Sequence, residues 1–89
     1  MQARRVNPYK KYVEVRADHR LDGRILPIWF RPEDGDKVVI GRITDIRQAA
    51  SLKAGGQGMR YTCMVEGREV YLFHDREEWF VECPYPFIE

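Results

Sequence analysis

Two adjoining runs, residues 59–65 and 68–74, constrain this chain more than any other feature of its sequence. Each alternates residue by residue. In the first, Tyr61, Cys63 and Val65 share one side, with Arg60, Thr62 and Met64 on the other; in the second, Val70 and Leu72 oppose Tyr71 and Phe73. A side-chain period of two is the signature of a strand with one buried face. Only Glu66 and Gly67 separate the runs, and a two-residue connection with glycine suits a tight antiparallel hairpin. Setting Val65 opposite Arg68 fixes the register. Cys63 then lies beside Val70 and Tyr61 beside Leu72 on the core face, with Thr62 beside Tyr71 on the other. A lone hairpin is marginal in water, so the remainder of the chain must supply more strands.

It does so on both sides. Residues 12–18 alternate strictly, with Val13, Val15 and Ala17 on one face, and the turn Leu21-Asp22-Gly23 leads into a second strand over residues 24–31. Pro27 has no N–H to give a ladder and belongs at an edge or a bulge. After the turn at residues 33–36 comes a third strand, residues 37–46, whose apolar phase slips between Ile40 and Ile43; a bulge at Gly41 that bends the strand accounts for this. The period then changes. Asp45 can cap a helix carrying Gln48, Ala49 and Ala50, with Gly55 as a left-handed stop, which predicts about two helical turns. Beyond the hairpin, residues 79–83 form a last strand that Pro84 and Pro86 end. Inward members of the runs give an expected core of Val13, Val15, Ile28, Ile43, Tyr61, Cys63, Val70, Leu72 and Val81.

With 89 residues, the chain has apolar surface for one core and not for two. The expected organisation is a flexible basic arm over residues 1–11, a single domain over 12–83 and a proline-containing tail over 84–89. Short antiparallel strands in so small a domain cover their edges by curling, so the expected fold is all-β with one short helix, a small, partly open antiparallel β-barrel of SH3-like or OB-like type. The helix after the third strand matches the OB order, whereas the short strands and the bulge suit the SH3-like one equally. A formal net charge of +1 offers no bulk attraction for a polyanion. No apolar run among residues 1–11 resembles a signal peptide, and no apolar run approaches the roughly 20 residues of a membrane-spanning helix. A cytoplasmic location without a membrane partner is expected, with Cys63 and Cys83 as reduced thiols.

The run from Ala49 to Thr62 (AASLKAGGQGMRYT), with Gly67-Arg68, Tyr71-Leu72-Phe73 and Trp79-Phe80-Val81-Glu82, resembles a family of short bacterial proteins with no established activity. The likeness spans roughly residues 12–83. It implies a free-standing bacterial protein and assigns no catalytic residue.

Chemistry-bearing residues are sparse. Cys63, Cys83, His19 and His74 lack the close pairing of a zinc site, and a thiol at Cys63 facing the interior would stay protonated and inert. The acids cluster in turns, where they are solvated. Lys53 precedes Gly55, Gly56 and Gly58, the reverse of a phosphate-binding loop, so this segment reads as a flexible loop rather than a nucleotide cradle. No catalytic residue, metal or cofactor is implied. What remains is a basic and aromatic surface of Arg47, Lys53, Arg60, Tyr71 and Phe73, which could stack bases and track phosphates of a single strand if the rings are exposed. If they are packed, Tyr71 and Phe73 form a second small core. The expected function is a non-enzymatic binding module. A protein or peptide partner, taken at a sheet edge beside the glycine-rich loop, stands ahead of single-stranded nucleic acid, and the oligomeric state does not follow from the residues.

Overall fold

The computed structural model describes residues 10–50 and 57–82. Seven strands account for most of them: β1 (Lys10–His19), β2 (Ile25–Pro32), β3 (Val38–Val39), β4 (Arg42–Ala50), β5 (Gln57–Val65), β6 (Arg68–Asp75) and β7 (Glu78–Glu82). They form one antiparallel sheet in the order β3-β2-β1-β7-β6-β5-β4. The expected arm falls outside the described residues up to residue 9, while Lys10 and Lys11 open β1. Lys53, Gly55, Gly56, Cys83 and the tail over 84–89 also lie outside them.

The two edges of this sheet are neighbours in the chain. β3 and β4 are one stretch interrupted at Ile40 and Gly41, where the Ile40 N–H donates to the Ile28 carbonyl at 3.0 Å and the Gly41 N–H donates to the Met64 carbonyl at 2.8 Å. Successive amides thus bond to opposite ends of the sheet, and the sheet curls into the small, partly open barrel that alternation and short strands imply. In place of the bulge expected at Gly41 within a single strand, the chain breaks there between β3 and β4, and the bulge lies at Thr44.

β1 holds the two halves together. Its first residues pair with β7 (Lys10↔Glu82, Lys11↔Val81, Tyr12↔Phe80), and from Val13 onward it pairs with β2. Inside the curl, Phe30, Ile40, Tyr61, Cys63, Leu72 and Val81 are buried, with Val13, Val15, Ile43 and Val70 packed against them. The β5–β6 register is the one expected from the sequence, with Val65 opposite Arg68, Cys63 opposite Val70 and Tyr61 opposite Leu72. Glu66 and Gly67 make its turn, both at positive φ.

Two further expectations are corrected. Ile28 is exposed, and Phe30 holds its place in the core. The β1–β2 register jumps from Arg16↔Trp29 to Ala17↔Pro27, leaving Ile28 as the extra residue of a bulge beside the proline. That bulge shifts the phase of β2 by one residue, so Pro27 before it and Phe30 after it are both buried while Ile28 between them turns out. The helix after Asp45 is also absent: residues 45–50 continue β4 and pair with β5 from Asp45↔Thr62 to Ala50↔Gln57. Two isolated helical turns are marginal, whereas the strand gains a full ladder and buries Ile46 beside Tyr61. The Asp45 carboxylate, free of any cap, binds Arg47 instead. No helix occurs among the described residues.

Candidate functional site

The barrel is open between β2 and β4. β3 is only two residues long and pairs with β2 at Trp29 and Phe30 alone, leaving the first half of β2 without a neighbour on that side among the described strands. That half is blunted by Pro27, which lacks an N–H, and by the bulge at Ile28. β4 is different. Of its nine residues all but Thr44 pair with β5 on one side, and no described strand lies on the other. A bulge at Thr44 interrupts its ladder, so the regular part of this edge runs from Asp45 to Ala50.

An apolar cleft of about 520 Å³ fills the seam, lined by Gly23, Arg24, Ile25, Ile46, Met59, Tyr61 and His74. The Tyr61 hydroxyl crosses it and donates to the Ile25 carbonyl at 2.6 Å, tying β5 to the start of β2. Burial raises the pKa of that phenol above its ordinary value, which keeps the donor protonated. At the floor, His74 stacks on Trp79 with centroids 3.9 Å apart and planes within 4°, and Trp79 also meets Tyr61 at 5.6 Å. Burial lowers the pKa of His74, partly opposed by its bond to the Arg76 backbone and by Asp75, so the ring presents a neutral face. The contribution of this neutral imidazole to stability is present above its ordinary titration range and is lost as pH falls. Met59, 37% exposed, stands at the mouth.

Of the residues expected to form a basic and aromatic face, Arg47, Arg60, Tyr71 and Phe73 are brought together on the outside of the sheet, and Lys53 lies outside the described residues. Arg47, Arg60, Phe73, Phe80 and Tyr12 follow one another in a cross-strand row over β4, β5, β6, β7 and β1. The rings are engaged there. Phe73 and Phe80 stack in parallel at 5.1 Å, and each is 1% exposed. Tyr12 packs edge-on against Phe80, with Lys10 4.3 Å from the Phe80 centroid. The Arg60 guanidinium sits 4.7 Å from the half-buried Tyr71 ring. Asp45 binds Arg47 at 2.6 Å and lies 3.9 Å from Arg60, and its carboxyl is held below the usual range chiefly by the Arg47 hydrogen bond. Phe73 therefore offers no face for a base, and the outer aromatics make a second packed cluster with Tyr12 and Tyr71. Gly58, expected in a flexible loop, is instead a β5 residue paired with Ala49.

Sequence reasoning missed the seam. Its signals were Pro27, which has no N–H to give a ladder, and the phase slip at Gly41, where the chain passes from one edge of the sheet to the other. Their coincidence on opposite sides of one gap is a property of the curl. Cys63 lies fully buried in the core, where burial pushes its thiol up to about 11. No protein-family model matches this chain, and neither a curated protein nor a solved structure matches it.

Proposed function

We propose that this domain is a non-enzymatic binding module that accepts an extended peptide segment of a partner protein along β4. The observation that carries this reading is a nine-residue strand that, among the described residues, is paired on one side only and is flanked by an apolar cleft. An added strand would satisfy the outward backbone groups of residues 45–50 and place one apolar side chain against Ile46, Met59 and the His74 ring. Main-chain bonds supply affinity in this mode, and the pocket supplies selectivity. Single-stranded nucleic acid has less support, because Phe73 is enclosed and the Tyr71 face is taken by Arg60.

The test is selection of displayed random peptides against the folded protein, followed by amide exchange of the complex. Selected peptides should carry an aliphatic or aromatic residue within an extended stretch and should slow exchange at alternate amides of residues 45–50. Met59→Asp, which puts a carboxylate at the cleft mouth, should weaken them about tenfold or more. Peptides that protect a different surface and ignore Met59→Asp would refute the reading.

A further inference from the structure

β4 carries a second property along the same edge. Asp45 and Arg47 flank Ile46 on the outer face, with side chains 37% and 62% exposed. Ile46 points the other way, into the cleft. In an antiparallel pair of identical strands, the residue at the centre faces itself and the residues on either side face each other crosswise. Centring on Ile46 puts Asp45 opposite Arg47 of the other copy, twice, on one face. On the opposite face it brings Ile46 against Ile46.

Neighbouring registers fail by charge. Centring on Asp45 opposes two carboxylates, and centring on Arg47 opposes two guanidinium groups; like charges directly opposite each other destabilise a sheet. Centring on Gln48 leaves both charges without an opposite partner. A shift by a single position between strands would exchange the two faces and turn Ile46 out of the cleft. One register of self-pairing therefore satisfies both charge and face. The competing edge, the first half of β2, is blocked by Pro27 and the Ile28 bulge.

We propose that the strand received by β4 is the β4 of a second copy of this chain, paired antiparallel about Ile46. This rests on the edge reading above and names its partner. Each Arg47, now bonded to the Asp45 of its own strand at 2.6 Å, gains the Asp45 of the other copy, so the four charges form a closed ring. The two seam clefts come together around the paired Ile46 side chains and cover the exposed Met59 residues. The paired stretch is short, and an interface of this size gives a reversible dimer that dilution dissociates.

Sedimentation equilibrium of the full chain, from micromolar to millimolar, should show a monomer–dimer equilibrium. Asp45→Lys sets a cation opposite a cation in both outer pairs, and Arg47→Glu sets a carboxylate opposite a carboxylate in both. Each should raise the dimer dissociation constant about tenfold or more. An equimolar mixture of the two single variants restores complementary pairs and should dimerise, as should the double variant D45K/R47E. That double variant should refuse the wild-type chain, because every mixed pair is of like sign. Should a single reversal impair folding, the refusal of wild type by the double variant decides alone. A wild-type chain that stays monomeric throughout, or a dimer indifferent to these reversals, overturns the proposal. If selected peptides still protect residues 45–50 in that case, the edge reading stands and only its partner is wrong; if they do not, both fall.

Discussion

Cys63 is the residue whose surroundings make the sharpest demand. It is fully buried beside Tyr61 and Val70, and its Sγ donates to the Tyr61 carbonyl at 3.6 Å. With its thiol pushed up to about 11 from an ordinary value of 9.0, the folded chain holds the proton more tightly than the unfolded one. The associated stability is complete below about pH 9 and is lost as pH rises toward 11, by about 2 to 3 kcal/mol. Urea melts at pH 8 to 11 should show this loss, and a Cys63→Ala variant, which lacks the titrating group, should show a smaller one. A thiol reagent at neutral pH should leave Cys63 unlabelled until the chain unfolds, and rapid native labelling would contradict its burial. At this scale the sequence was readable wherever alternation ran unbroken: Tyr61, Cys63, Val70, Leu72 and Val81 follow from period alone. Ile28, expected in the core, turned out to solvent because a bulge is a backbone event. Pro27 hinted at one without saying which residue would be the extra one.

Among the elements, the β5–β6 hairpin was legible in full because its register depends on two residues, Glu66 and Gly67, and on strands directly beside them. β4 was not. Its residues 45–50 contain a capping acid and good helix formers, and local preference loses there to a partner strand that only the folded chain supplies. Gly58 shows how closely that partner is fitted: a Cβ on it would collide with the His74 carbonyl oxygen across the start of the β5–β6 ladder. Gly58→Ala should therefore cost about 1 to 3 kcal/mol by displacing the end of β6. The cost should appear in denaturant melts and as faster amide exchange at His74 and Asp75. A substitution tolerated without either change would mean that β5 and β6 are further apart at this end than the register implies.

For the molecule as a whole, the strand content and the partly open barrel followed from turn spacing and the lack of room for a second layer, whereas the seam did not, since it lies between strands distant in sequence. Among the described residues, the Tyr61 side chain spans it with a hydrogen bond. Tyr61→Phe removes the donor to the Ile25 carbonyl while keeping the ring, and should cost about 1 kcal/mol. Amide exchange should quicken in the first half of β2 and leave the β5–β6 hairpin untouched; a uniform change would mean that the seam does not open on its own. The strand that joins the two halves of the curl has a further consequence. β1 begins against β7, with Lys10 opposite Glu82, so although β2 can take its later residues at once, its opening residues find their neighbour only when β7 has been made. Until β7 has cleared the ribosome, the opening residues of β1 must travel with an unfilled ladder. Assembly of this domain therefore waits on its last strand and has a large loop to close, and its folding rate should sit among those of the slower small proteins.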